Sequence, residues 1–158
     1  MVNTRSEEEN TAVEVTNQIY PTEPGQMEKM MGPGPDGPIV MVNLLKYKEK
    51  AVYRDGRETD LTGREAYDIY SRGVIALIQE FGGRICFTAD VTEIAVGLVE
   101  ELWDEVALAE YPNRAAMAAM TSSVAWRDLA VHREAGLEGQ LNLETVYNAS
   151  IAQPLQQT

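Results

Sequence analysis

The sequence predicts an α+β domain in which a four-stranded antiparallel sheet carries its helices on one face. Four short apolar runs have the character of strands, and stretches with helical three- and four-residue periods follow the first and the third. The resulting order is strand, helix, strand, strand, helix pair, strand, which is the split βαβ order of a ferredoxin-like fold. A chain of 158 residues with 44% hydrophobic residues is long enough to bury the core of one such domain.

The predicted domain covers residues 36–147. Residues 1–18 are acidic and polar without sustained periodicity, and we expect them to form a disordered arm. Residues 19–35 are expected to form a turn or short helical extension, with one or two helical turns over 26–31 before the GPGPDGP run breaks the chain. Residues 148–158 are a polar tail.

The first strand and the first long helix have clear local signals. The apolar run 39–45 follows Pro38, and its β-branched residues favour a strand over a helix at this length. Thr62 and Glu65 have the spacing of a capping box, which starts a helix, and Gly82-Gly83 ends it. The helix carries an amphipathic stripe that must cover a sheet, formed by Tyr67, Tyr70, Val74, Leu77, Ile78 and Phe81.

Three later segments are predicted as strands, at residues 84–91, 103–110 and 140–147. In the first of them, strict alternation places Ile85 and Phe87 on the same face. Between the last two strands, Asn113 caps a helix over 114–120, and the Thr121-Ser122-Ser123 cluster ends that helix and caps a second one. The second helix ends at Gly136 and Gly139, and its residues include Trp126, Leu129, Ala130, Arg133 and Leu137.

Both faces of the first strand are apolar, and one layer of helices cannot cover both. The two faces are formed by Ile39, Met41 and Leu45 and by Val40, Val42 and Leu44. We therefore expect a homodimer in which two sheets pack face to face, with a ligand cavity between them.

Composition excludes several classes of function. The net charge of −12 repels phosphate backbones and anionic lipid, so we expect no nucleic-acid partner and no membrane partner. A lone Cys86 excludes an internal disulfide and a multi-cysteine zinc site, and a single histidine without an HExxH motif indicates no metal site. The chain has no P-loop, no GxGxxG motif and no secretory signal, so we expect a cytoplasmic protein without a cofactor.

Four separated motifs resemble the domain-of-unknown-function-1330 family, which belongs to the dimeric α+β barrel superfamily. They are residues 41–47, Phe81-Gly82-Gly83-Arg84, residues 106–112, and residues 123–133 followed by 136–140. The resemblance implies a dimeric barrel with a cavity. The superfamily includes cofactor-free monooxygenases, isomerases, cyclases and haem-handling enzymes, so the resemblance implies no particular reaction.

Arg133 and Asn43 are the leading candidates for ligand binding. Arg133 shares a helix face with Trp126, Ala130 and Leu137, so it is either held by a nearby acid or by carbonyl groups, or it is an anion clamp. It also matches the arginine that ends the family's Ser-to-Arg motif. Asn43 interrupts an apolar strand, and its amide either bonds to the backbone or a buried water, or orients a substrate carbonyl.

His132 and Asp104 are the candidates for proton transfer. His132 points about 100° away from Arg133 around the helix, so it is either a surface residue or a general base at the cavity mouth. Asp104 shares a strand face with Val106, Leu108 and Glu110. A carboxylate on a core face would have a raised pKa and act as a general acid or base, whereas one at an edge would be solvated.

The function predicted from these residues is a cofactor-independent enzyme acting on a small organic acid or carbonyl compound, of isomerase, cyclase, lyase or monooxygenase type. Arg133 would bind the anion, Asn43 would orient a carbonyl, and Trp103, Trp126 and Tyr70 would line the site. The alternatives are a non-catalytic ligand-binding or accessory protein with the same cavity, and a structural dimer with a filled barrel.

Overall fold

The computed structural model describes residues 19–21 and 23–150, and its four strands form one antiparallel sheet in the order β2-β3-β1-β4. The predicted arm 1–18 and residues 151–158 of the predicted tail lie outside the described residues. Strand order and connections are those of a ferredoxin-like α+β fold, as predicted. The elements are α1 (Gln26–Met31), β1 (Ile39–Tyr47), α2 (Gly63–Glu80), β2 (Arg84–Asp90), β3 (Glu105–Tyr111), α3 (Arg114–Thr121), α4 (Val124–Gly136) and β4 (Leu137–Thr145).

The three longer helices begin at the residues whose side chains cap them. Thr62 and Glu65 form the predicted capping box at the start of α2. The side-chain oxygen of Asn113 accepts a hydrogen bond from the backbone N–H of Ala116 at 2.8 Å, and Ser123 does the same for Trp126 at 3.1 Å. Local chemistry therefore sets where each helix begins.

The main core lies between the helices and one face of the sheet. Its buried members include Ile39, Met41 and Leu45 of β1 together with residues of α2 and α3. The start of α2 and the end of α4 meet where β1 ends: the backbone N–H of Lys48 donates to the carbonyl of Gly136 at 2.9 Å. A Cβ added at Gly136 would lie 2.3 Å from the carbonyl oxygen of Gly63, so only glycine permits this close approach.

Strand β2 contains a bulge that overturns the predicted alternation. Ile85 lies opposite Ala109, but Phe87 lies opposite Leu108, so the register shifts by one residue at Cys86. Ile85 and Phe87 therefore face opposite sides of the sheet, and the prediction that they share a face was wrong. Each added residue in a strand reverses the side that the following residues face.

Two strand boundaries also differ from the prediction. Strand β4 begins at Leu137, directly after α4, rather than at residue 140. Strand β3 begins at Glu105, so Trp103 and Asp104 precede it, and the backbone N–H of Asp104 donates to the carbonyl of Leu45 at 2.8 Å.

The second face of the sheet is apolar and carries no helix of the described chain. Val42 at its centre lies opposite Leu108 and Leu143. Leucine and phenylalanine side chains at the sheet's two edges are strongly exposed, with Phe87 at 49% and Leu143 at 46%. We call this surface the open face, and its apolar members are Val40, Val42, Leu44, Phe87, Ala89, Val106, Leu108, Leu141 and Leu143.

Candidate functional site

A chain of polar side chains lies between the helices and the sheet. Nη2 of Arg133 donates to Oε1 of Gln140 at 2.6 Å, and Nε2 of Gln140 donates to Oδ1 of Asn43 at 2.7 Å. We call these three residues the Arg133 cluster. Asn43 shares its face of β1 with the buried residues Met41 and Leu45, so the cluster lies on the helix side of the sheet. The sequence-based expectation of a ligand cavity between two sheets therefore does not fit the position of Arg133 and Asn43.

Arg133 has no acidic partner among the residues that the structure describes. Its Nη2 donates to two neutral oxygens, the carbonyl of Ile19 at 2.7 Å and the amide of Gln140. The described salt bridges involve other cations, and the half-buried Arg133 guanidinium takes part in none of them. An arginine in this state is a suitable anchor for the carboxylate of a ligand.

Asn43 is already saturated as a donor. Its Nδ2 donates to the backbone carbonyls of Met41 at 3.2 Å and Ala107 at 3.3 Å. An amide nitrogen has two hydrogens, so Asn43 has none left for a ligand oxygen. Gln140 makes one described hydrogen bond through Nε2, and its second N–H is available. The geometry thus favours Gln140 as the ligand donor and Asn43 as the residue that orients it.

Two buried tyrosines of α2 lie in the same layer. The ring centroids of Tyr67 and Tyr70 are 5.3 Å apart, and the hydroxyl of Tyr70 accepts a hydrogen bond from Nε1 of Trp126 at 3.3 Å. The hydroxyl of Tyr67 has no hydrogen-bond partner among the described residues, although Tyr67 is only 8% exposed. Burial raises the pKa of both tyrosines, and the guanidinium of Arg133 partly opposes this rise.

A carboxylate, Glu105, also faces the helices. It lies opposite Leu45 in the sheet, and its Oε2 accepts hydrogen bonds from the hydroxyl of Tyr47 at 2.7 Å and from Nη2 of Arg64 at 3.1 Å. The ring of Tyr47 contacts that of Tyr67, with centroids 5.4 Å apart. A row of three tyrosine rings therefore runs from the Glu105 carboxylate towards Trp126.

The predicted proton-transfer residues do not reach the Arg133 cluster. Nδ1 of His132 lies 2.6 Å from the hydroxyl of Tyr53, on another side of α4, and burial and then the guanidinium of Arg57 lower its pKa. Asp104 turns towards the end of β1, where its Oδ2 accepts a hydrogen bond from the backbone N–H of Tyr47 at 2.7 Å. These contacts give His132 and Asp104 a structural role where they lie.

Glu110 corrects a second expectation about carboxylates. Burial raises its pKa, but hydrogen bonds from Arg84 and from the hydroxyl of Tyr147 outweigh burial and hold the pKa below its ordinary value of 4.5. A carboxylate in that state stays ionised at neutral pH. Of the two alternatives that the sequence left open for a carboxylate on this face, a raised pKa or solvation at an edge, the raised pKa therefore does not apply to Glu110.

The structure brings four of the seven predicted site residues into one layer, and it adds three that the sequence analysis missed. Arg133 and Asn43 are joined through Gln140, and Trp126 and Tyr70 form a hydrogen-bonded pair that packs with the main core. Trp103 is buried beside Asp104, before β3 begins. The missed residues are Gln140, Tyr67 and Glu105. Strand alternation shows which neighbouring residues share a face with Gln140 and with Glu105. Only the pairing of these strands with β1 shows that the helices cover this face.

Two further features are absent from the described residues, a metal-binding cluster and a membrane-spanning helix. No three His, Cys, Asp or Glu side chains in this part of the chain are grouped so that they could hold a metal ion. None of the described helices combines the length and the apolar character needed to cross a membrane.

Fold and site together define a ferredoxin-like α+β protein with an arginine-centred polar cluster between its helices and its sheet. The chain belongs to the DUF1330 family, a domain of unknown function, whose sequence profile matches residues 56–145. This confirms the resemblance seen in the sequence motifs. No curated protein matches the chain.

Several solved structures are similar to this chain. RPA0582, a protein of unknown function from Rhodopseudomonas palustris, is 30% identical with a TM-score of 0.73, over 82% of this chain and 96% of that chain. Methylated RPA0582 is 31% identical with a TM-score of 0.76, over 90% and 100% of the two chains. A DABB family protein with a ferredoxin-like fold from Mesorhizobium loti is 11% identical with a TM-score of 0.46, over 70% and 97%.

Proposed function

We propose that the protein binds a small organic acid between its helices and its sheet, with Arg133 as the anchor for the ligand's carboxylate. The observation that carries this proposal is a half-buried arginine without an acidic partner among the described residues. Charge-assisted hydrogen bonds from a guanidinium to a carboxylate are about twice as strong as bonds between neutral groups. A ligand carboxylate would therefore gain more from Arg133 than the neutral oxygens that now contact it.

Within this proposal the protein acts on its ligand as a cofactor-independent enzyme of isomerase, cyclase, lyase or monooxygenase type. The carboxylate of Glu105 and the hydroxyl of Tyr47 are the proton-carrying pair that faces the helix layer. A non-catalytic ligand-binding protein is the second candidate, and it is favoured by the position of His132 and Asp104 away from the Arg133 cluster.

The proposal includes a homodimer formed through the open face. In such a dimer the exposed Phe87 and Leu143 side chains would be buried between the two copies. The helices of one copy leave these side chains exposed. The cytoplasmic location expected from the sequence stays a prediction.

Calorimetric titration with a panel of small carboxylates (pyruvate, benzoate, phenylpyruvate) tests the binding proposal. We expect at least one to bind the wild type and Arg133→Ala to bind it at least about tenfold more weakly, equivalent to about 1.4 kcal/mol. Arg127→Ala, which removes an exposed arginine of the same helix, is the matched control and should bind like the wild type. Equal affinity of the Arg133→Ala and wild-type proteins would contradict the proposal. Proton NMR of the bound ligand over time separates turnover from binding alone.

A further inference from the structure

The hydroxyl of Tyr67 is a buried polar group without a partner among the described residues. Tyr67 is 8% exposed, and neither a backbone group nor a side chain of the described chain accepts or donates a hydrogen bond there. Leaving a buried hydroxyl unsatisfied destabilises a protein, so such groups are rare unless they serve a ligand or a water.

Tyr67 lies in the layer that holds Arg133. Its backbone packs against Gly136, three residues after Arg133 on α4, where an added Cβ would lie 2.9 Å from the Tyr67 nitrogen. The ring of Tyr67 contacts those of Tyr47 and Tyr70, with centroids 5.4 and 5.3 Å away. Tyr111 also lacks a described hydrogen-bond partner, but it lies opposite Ile39, at the other end of β1 from Leu45, which pairs with Gln140.

Tyr67 is a donor in this setting. Burial raises its pKa far above 10.0, so the hydroxyl keeps its proton at neutral pH. The Glu105 carboxylate of the layer already accepts hydrogen bonds from Tyr47 and Arg64. The groups that remain for a ligand are the Arg133 guanidinium, the second N–H of Gln140 and the Tyr67 hydroxyl, and all three donate. Their complement is an anion with more than one acceptor oxygen.

We propose that Tyr67 is a specificity-determining residue that donates a hydrogen bond to a second ligand oxygen, on the carbon next to the carboxylate that Arg133 binds. The ligand class is then the 2-oxo carboxylic acids, in their keto or enol form, in preference to acids without that oxygen. This inference rests on the proposed anion site at Arg133. It adds the chemical class of the ligand and a residue that the sequence patterns had placed in the core.

Two matched pairs of acids test the inference by calorimetric titration: pyruvate against propionate, and phenylpyruvate against 3-phenylpropionate. The wild type should bind the oxo acid of at least one pair tenfold or more tightly than its partner. Tyr67→Phe should lose this preference while it keeps the affinity for the acid without the oxo group. Tyr53→Phe, which removes a buried hydroxyl on another side of α4, should keep the wild-type preference.

The outcomes separate this inference from the proposed function. If the wild type binds neither benzoate nor any acid of either pair, the anion site itself fails. If it binds benzoate but no acid of either pair, the anion site stands and the role of Tyr67 is overturned. If it binds both members of each pair equally, and Arg133→Ala abolishes binding, the anion site stands and the role of Tyr67 is overturned. Thermal unfolding gives a second measurement: Tyr67→Phe should melt at or above the wild-type temperature, because it removes an unsatisfied hydroxyl. A clearly lower melting temperature would overturn the inference.

Discussion

Arg114 and Arg133 show how the partners of an arginine decide its role. Arg114 donates to both carboxylate oxygens of Glu144, at 2.5 and 2.7 Å, and to the carbonyls of Lys29 and Pro33. Its charge is neutralised and its guanidinium N–H groups are taken up by these acceptors. Arg114 therefore holds β4 to the chain before β1, and we call this set of contacts the Arg114 clamp. Arg133 has two neutral acceptors and keeps its charge. The same kind of side chain is therefore structural at Arg114, whereas at Arg133 we propose it as the ligand anchor.

The Arg114 clamp gives a pH-dependent contribution to stability. The hydrogen bonds from Arg114 hold the pKa of Glu144 below its ordinary value of 4.5 in the folded protein. A depressed folded-state pKa stabilises the fold above the unfolded value, and this contribution is lost as the pH falls through the folded value. We expect acidification from pH 6 to pH 3 to lower the unfolding temperature of the wild type about 2–4 °C more than that of Glu144→Gln.

The measurement is thermal unfolding followed by circular dichroism at both pH values. Glu138→Gln changes an exposed glutamate of the same strand, and we expect it to follow the wild-type pH dependence. An identical loss in wild type and Glu144→Gln would show that the ion pair adds nothing at neutral pH.

The residues of the candidate site differ in how clearly the sequence marks them as candidates. Arg133 stood out because it is a cation on an otherwise apolar helix face, and Asn43 because it is an amide in an apolar strand. Their common partner, Gln140, lies 97 residues from Asn43 and had no such local signal. The missing hydrogen bond of Tyr67 is a property of the packed interior. No spacing in the chain shows it.

At the scale of elements, features set by local chemistry were predicted correctly, whereas features set by long-range strand pairing were not. Helix α2 starts at Thr62 because its capping box is made by residues three apart, and the sequence contains all of it. The bulge in β2 depends on how Ile85 and Phe87 pair with β3, which lies some twenty residues further along the chain. The sequence therefore predicted helix starts well, while it placed the faces of β2 and the start of β4 wrongly.

The segment before α1 lies over α4 and competes for Arg133. Ile19 packs against the main core, and its carbonyl accepts a hydrogen bond from Arg133. A ligand carboxylate that uses Nη2 of Arg133 must displace the Ile19 carbonyl. In the binding site that we propose, the segment would therefore lower the affinity for a ligand by the free energy of the contacts that are lost.

Loosening this segment should strengthen binding of a small carboxylate. Ile19→Gly removes the side chain that holds the carbonyl in place, and we expect the dissociation constant of the tightest-binding acid of the panel to fall about three- to tenfold. Met27→Gly, at an exposed position of α1, is the matched control and should leave the constant unchanged. The measurement is the same calorimetric titration. Weaker binding by Ile19→Gly would mean that the segment forms part of the site and does not compete for it.

At the scale of the whole molecule, the two faces of the sheet have different chemistry. The helix side carries the Arg133 cluster and the tyrosines, while the open face has two apolar rows that cross all four strands. Both faces of β1 are apolar, as predicted from the sequence. The sequence alone does not show which face holds Asn43, and for that reason it predicts a ligand between two sheets. The structure separates the surface that we propose for assembly from the layer that we propose for binding.

The open face gives the last prediction, which concerns assembly. Val42 lies at the centre of this face, so Val42→Lys would bury a charge between two copies, which costs several kcal/mol. We expect the wild type to be a dimer by light scattering. The dissociation constant of the Val42→Lys dimer should be at least about 100-fold higher. Val52→Lys makes the same change at a loop position that is 62% exposed, and it should remain a dimer. Because a net charge of −12 on each copy opposes association, the wild-type dimer should also tighten as salt is raised. A wild type that is monomeric at all salt concentrations would show that the open face is not an interface between copies.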